Sequence, residues 1–288
     1  MREIGIFLLL ALLAIGCQRQ QDPEIGNAVY YWRTDLHLDS TERAFLQQFH
    51  IKKVYCRYFD VVMDSAQGPR PNATITFSGT LPEGIELVPT VYITEDCMHQ
   101  FHEGLAEKII NRILQMNETN GIRNIHEIQI DCDYTSRSRK NYYLFLDSLR
   151  TVSSEIFPSE ISTTIRLHQL AMEAPPVDYG VLMLYNTGDP RKWTERNPIL
   201  DIRDVAPYLR YLNKYDLPLA TAYPVYSWLR IIDGIHIEHT VAAEEILKVK
   251  QAVEQNREGL KNSIITYHLD KENINRYKPE TYEAIYHH

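Results

Sequence analysis

Short apolar runs rich in β-branched residues alternate with amphipathic stretches along nearly the whole chain, and that alternation limits the folds open to it. Strand signals fall at residues 28–33, 53–62, 85–93, 127–134, 161–167, 179–186, 217–223 and 263–269. A further run at 73–77, in a loop rich in Pro and Gly, reads as a small extra strand. Helical repeats lie between them. Residues 40–49 carry Ser40 as an N-cap, with Phe45, Leu46 and Phe49 on one face; 105–116 repeat Leu105, Ile109, Ile113 and Met116. Residues 138–156, 201–213 and 242–256 show the same spacing. Continuous apolar strands separated by helices make a parallel sheet. Eight such units in about 250 residues predict an α/β fold, a closed (β/α)8 TIM barrel. The rival, an open doubly wound sheet, needs fewer strands and no closure.

One strand carries its acids inside it. In Glu127-Ile128-Gln129-Ile130-Asp131-Cys132-Asp133-Tyr134-Thr135, Gln129, Asp131 and Asp133 share one face, and Ile128, Ile130 and Cys132 share the other. An apolar face against helices and an acidic face toward a barrel interior satisfy both halves. Buried carboxylates are costly unless paired or functional. Arg57 and Arg166 are the cations placed to neutralise Asp131.

Chemistry in such barrels sits at the carboxyl ends of the strands. Read in order, those ends offer Trp32; Arg57 and Asp60; Tyr92 and Glu95; Asp131, Asp133 and Tyr134; Arg166 and His168; Tyr185, Asn186 and Asp189; Tyr223, Tyr226 and Trp228; and His268 and Asp270. Aromatics, amides and carboxylates at one mouth suit a sugar, because rings stack on pyranose faces and carboxylates do acid–base work on glycosidic bonds. The 19 tyrosines fit both that use and core packing.

Other classes find no support. The formal charge is −8 and no basic run occurs, which argues against a nucleic-acid surface. GxGxxG and GxxxxGK[ST] are absent, so no nucleotide cofactor is indicated, and without CxxC or HExxH no metal site is either. Cys56, Cys97 and Cys132 are odd in number and irregular in spacing, unlike a disulfide framework.

The N-terminus reads as a targeting signal. Arg2 precedes an apolar run at 4–15 that is too short to span a bilayer comfortably and closes on Ala14-Ile15-Gly16-Cys17. This end resembles a bacterial lipoprotein box, which implies cleavage before Cys17, a lipid on its sulfur and a place in the cell envelope, at the outer membrane. An ordinary secretory signal is the alternative. The expected layout is a signal at 1–16, a lipidated tether at 17–26 and the barrel at 27–288.

Asp131-Cys132-Asp133-Tyr134-Thr135 resembles the fourth strand end of family-18 glycoside hydrolases, the chitinase class, whose pattern is D-x-x-D-x-D-x-E. Leu182-Met183-Leu184-Tyr185-Asn186 resembles their sixth strand. Asp131 and Asp133 fall on the second and third acids, Ile128 on the first, and Thr135 on the proton-donating Glu. The whole chain is similar to glycosidase-like barrel lipoproteins of Bacteroidetes-type bacteria, which implies glycan handling at the envelope. Two readings stay open. In one, Asp133 is the base or polarises a sugar amide, Asp131 tunes it, and the acid comes from Glu95, Asp60, Asp189 or Asp270. In the other, the mouth binds a glycan or a partner without cleaving it.

Overall fold

The structure, a computed structural model, describes residues 21–189, 195–232 and 235–287. The expected signal at 1–16 and Cys17 lie outside them. Eight strands form a closed parallel barrel: β1 (Gly26–Tyr31), β2 (Lys53–Asp64), β3 (Glu86–Ile93), β4 (Glu127–Asp131), β5 (Glu160–Ile165), β6 (Tyr179–Met183), β7 (Leu219–Pro224) and β8 (Ser263–Tyr267). Each pairs with its neighbours in sequence, and closure is made by β1 against both β8 and β2, with Gly26 opposite Ser263 and Val29 opposite Val54. Among the described residues the helices are α1 (Ser40–Gln48), α2 (Leu105–Thr119), α3 (Arg139–Ile156), α4 (Ile202–Leu212), α5 (Ala243–Asn256), α6 (Lys271–Ile274) and α7 (Pro279–Tyr286).

Two connections dispense with a helix. Between β2 and β3 the chain makes an antiparallel strand on β2, Gly68–Asn72, and then Thr76–Phe77, the core of the extra strand expected at 73–77. Between β5 and β6 it makes only a 3-10 turn, Leu167–Ala171. After β7, Trp228–Ile232 and Ile235–His239 form an antiparallel ribbon over the mouth, which the sequence pattern does not announce.

Two local expectations need correction. The cap of α1 is Asp39, not Ser40: the Asp39 carboxylate accepts from the Glu42 amide at 2.9 Å, and Glu42 accepts from the Asp39 amide at 3.0 Å. The fourth strand stops at Asp131 instead of 134, because its pairing with β3 ends at Tyr92 opposite Asp131 and its pairing with β5 ends at Ile130 opposite Thr163. Asp133 therefore stands on the rim, beyond the ladder.

The polar face of β4 fills the barrel at three heights, as layered side chains do in this fold. At the bottom, Lys53 pairs with Glu127 at 2.7 Å, and Glu127 also accepts from Ser162 and Tyr179 at 2.5 Å. In the middle, the Tyr30 hydroxyl donates to Gln129 at 2.8 Å. At the top, Thr164 donates to Asp131 at 2.6 Å. Ile128, Ile130 and Cys132 are fully buried in the surrounding apolar shell. All three described cysteines are free and buried.

Burial pushes the Glu127 carboxyl above its ordinary range, against the pull of Lys53. Lys53→Met should thus cost about 3–5 kcal/mol in urea unfolding at neutral pH, the scale of a buried pair broken from one side. The loss should shrink on acidification, because a folded-state carboxyl with a raised pKa is destabilising only once pH rises past its ordinary value. A loss below about 1 kcal/mol at all pH values would show that Glu127 does not depend on Lys53.

Candidate functional site at the barrel mouth

Arg166, at the end of β5, organises the mouth. Its Nε donates to Asp133 Oδ1 at 2.5 Å, its Nη2 lies 3.9 Å from Asp131 Oδ1, and its guanidinium sits 5.6 Å from the centre of the Tyr185 ring. Of the two cations expected to neutralise Asp131, Arg166 does so. Arg57 is engaged elsewhere: its Nε donates to Asp60 at 2.7 Å, and its guanidinium lies over Trp32 at 5.6 Å. Asp131, the last residue of β4, and Asp133, just beyond it, differ in access. Asp131 is 4% exposed, whereas the Asp133 side chain is 47% exposed. Burial raises the Asp131 pKa, Arg166 opposes this, and the like charge of Asp133 adds to it. Tyr92 faces the same pair, and its hydroxyl is pushed up to about 12 by burial and then by Asp133 and Asp131. It remains a protonated donor at any physiological pH.

Glu95 follows β3 and reaches across to the segment after β4. Its Oε1 accepts from the Thr135 hydroxyl at 2.7 Å and from Ser138 at 2.9 Å, and His99 lies 3.7 Å from Oε2. The Thr135 bond, with the others, holds its carboxyl below the usual glutamate range. The result is a fixed anion beside Thr135.

The aromatic side of the mouth is built on Tyr267, the last residue of β8. It stacks on Tyr185 at 4.7 Å and meets Trp32 at 5.8 Å and Tyr226 at 5.4 Å. The Tyr226 hydroxyl donates to Asn186 Oδ1 at 2.6 Å. Asn186 has a φ of 52°, a left-handed conformation that asparagine tolerates better than most residues. Asn186 is shared by the walls of two cavities at the mouth. One cavity, of about 700 Å³, is lined by Asn186, Tyr226, Trp228, Tyr267, His268 and Asn273, among others. The other, of about 280 Å³, lies over Asp133 and Arg166, with His168, Tyr185 and Tyr208 in its wall. His268 lies 3.3 Å from Asp270, and burial lowers its pKa, favouring the neutral imidazole.

The expected rim is assembled in part. Asp133, Arg166, His168, Tyr185, Asn186, Tyr226, Trp228 and His268 converge on the two cavities. Tyr223 and Tyr134 do not: both are 0% exposed. Tyr223 points outward from β7, where the carboxylate of Glu254 on α5 acts on it, and Tyr134 stacks on Tyr142 of α3 at 4.9 Å. They pack the shell instead of lining the mouth. Tyr267, and not only its neighbour His268, belongs to this mouth, as the alternation Ser263, Ile265, Tyr267 along β8 implies. Among the described residues, no cluster of three metal-ligating side chains occurs.

Because Glu95 is stabilised as an anion, its contribution to stability is present above the ordinary glutamate pKa and is lost as pH falls through its lowered one. The stability gap between wild type and Glu95→Gln should accordingly close on acidification. A gap that widens toward acid would mean that Glu95 takes up a proton in the fold.

No family model matches the chain, and no curated protein sequence does. Solved structures do match it. A chitinase from Bacteroides thetaiotaomicron superposes with a TM-score of 0.61 at 10% identity, over 91% of this chain and 96% of the other. A class V chitinase from Pseudomonas fluorescens Pf-5 gives 0.59 at 13% identity, over 90% and 98%. The spore cortex-lytic enzyme SleL of Bacillus megaterium QM B1551 gives 0.58 at 10% identity, over 92% and 75%. The same barrel occurs in a xylanase and α-amylase inhibitor protein, at 0.54 and 12% identity, over 91% and 98%. At these identities the likeness is one of architecture, and in architecture the chain is a chitinase-like (β/α)8 barrel.

Proposed function

We propose that this protein is a glycan-binding barrel, held at the bacterial envelope by a lipid on Cys17, in which the β4 acids order the site and do not cleave. The observation that carries the reading is the state of Glu95. Glycosidic cleavage needs a carboxylic acid that keeps its proton near neutral pH, close to the leaving oxygen. In the chitinase pattern that acid stands where this chain has Thr135. The carboxylate that reaches Thr135 is Glu95, and its hydrogen bonds stabilise the anion, the wrong form for an acid. Asp131 has a raised pKa but is buried below the rim and bound to Thr164 and Arg166. Asp133, the exposed acid, is paired with Arg166.

What remains suits recognition. Tyr226, Tyr267 and Trp228 offer ring faces around the larger cavity, with Asn186, Ser227 and Asn273 as neutral polar partners. Architectural relatives include chitinases, a spore cortex-lytic enzyme and inhibitor proteins, one of the latter solved in complex with trehalose, and this range supports a glycan as the ligand. Glycans related to chitin and to spore cortex are the first ligands to test.

Titration calorimetry with chitin oligosaccharides and peptidoglycan fragments, followed by mass spectrometry of the mixture, should show binding with the glycan intact. Trp228→Ala should weaken that binding by about 1–3 kcal/mol, the scale of one aromatic side chain removed from contact. Cleavage by wild type that Asp133→Asn abolishes would overturn the reading in favour of a hydrolase.

A further inference from the structure

The stretch expected to be a tether is docked onto the barrel at Asp22. The Asp22 carboxylate forms a two-pronged ion pair with Arg257, which follows α5; the Arg257 Nε donates to it at 2.8 Å. Both side chains are buried, Asp22 at 8% and Arg257 at 3% exposure. Arg257 is itself held by the carbonyl oxygens of Leu212, Tyr215 and Leu217, at 3.2, 3.1 and 2.7 Å. Asp22 also accepts from the amide of Leu219 at 2.9 Å. Next along the chain, the Ser263 hydroxyl donates to the Pro23 carbonyl, and Ser263 Oγ accepts from the Ile25 amide at 3.1 Å. Gly259 leaves room for this docking, since a Cβ there would come within 2.5 Å of Asp22 Oδ2.

Leu219 and Ser263 are the first residues of β7 and β8. Asp22 is therefore fixed at the amino-terminal end of the barrel, opposite the mouth. Only residues 18–21 separate it from Cys17. Five residue steps span about 17 Å at full extension. That is shorter than a flexible linker needs to let a domain turn over.

We propose that the amino-terminal end of the barrel rests against the lipid headgroups and that the mouth faces away from the anchoring membrane, toward glycans that are not embedded in it. This rests on the lipid anchor proposed above. The Asp22–Arg257 clamp turns a lipid anchor into an orienting one.

The test uses the full chain, purified with its lipid and reconstituted in vesicles of phosphatidylethanolamine and phosphatidylglycerol that carry a nitroxide on the headgroup. The native cysteines within the barrel are buried, so a thiol-reactive fluorophore reports on a single engineered site: Lys214→Cys near the start of β7, or Arg137→Cys near the end of β4. The fluorophore at 214 should lose most of its emission to the nitroxide, and that at 137 should keep it. A flexible Gly-Ser insert of 20 residues after Gln18 should abolish the difference while leaving the fold and the lipid intact. Equal quenching at both sites in the native-length protein, or stronger quenching at 137, overturns the orientation. Mass spectrometry of the same preparation separates the two ideas: a lipidated protein that fails the quenching test refutes the orientation alone, whereas an unmodified Cys17 refutes the anchor and the orientation with it.

Discussion

A carboxylate cannot be enclosed in a barrel without a cation to answer it, and β4 brings two inside. Glu127 and Asp131 lie on one face of a strand buried at every position, four residues apart. Each charge has its own partner on another strand, Lys53 from β2 and Arg166 from the end of β5. Desolvation of an isolated ion costs several kcal/mol even after relaxation, so these pairings restrict which strands can stand where. The hydroxyls of Tyr30, Tyr55 and Tyr179 complete the satisfaction of the interior. The lumen is thus a column of polar contacts inside an apolar shell.

The upper pair reaches the surface and shapes the mouth. Arg166 spans the buried Asp131 and the half-exposed Asp133, and it also lies over Tyr185, which stacks on Tyr267. One guanidinium therefore couples the acidic and the aromatic halves of the site. Its planar, permanently charged head suits this better than a lysine would, since it can bond edgewise to a carboxylate and present a face to a ring. On the other side of the mouth, Arg57 does the same with Asp60 and Trp32.

Much of the barrel was legible in the sequence, because each strand signal is a local pattern and parallel order follows from the intervening helices. The inward face of β4 was legible for the same reason: alternation needs no knowledge of neighbours. The boundaries and partners were not. That β4 ends at Asp131 depends on where its ladders with β3 and β5 stop, and that Arg166 and not Arg57 meets Asp131 depends on a pairing across strands. Tyr223 looked like a rim aromatic because it ends a strand, but the parity of β7 turns it outward under α5. Docking of Asp22 on Arg257 links residues 235 positions apart, and no local pattern announces it.

The bond between Tyr226 and Asn186 deserves a size on the scale of its surroundings. It is one hydroxyl-to-amide contact between two loops at the mouth, and Asn186 is exposed. A bond of that kind contributes about 0.5–1.5 kcal/mol net. Asn186 nevertheless stands in the walls of both cavities, of about 700 and 280 Å³. The rigid barrel below leaves its own dimensions no such freedom. The shared wall at Asn186 is held by an energy comparable to that of a single water-exposed contact, and a guest able to offer either side chain a substitute partner can displace it at little cost.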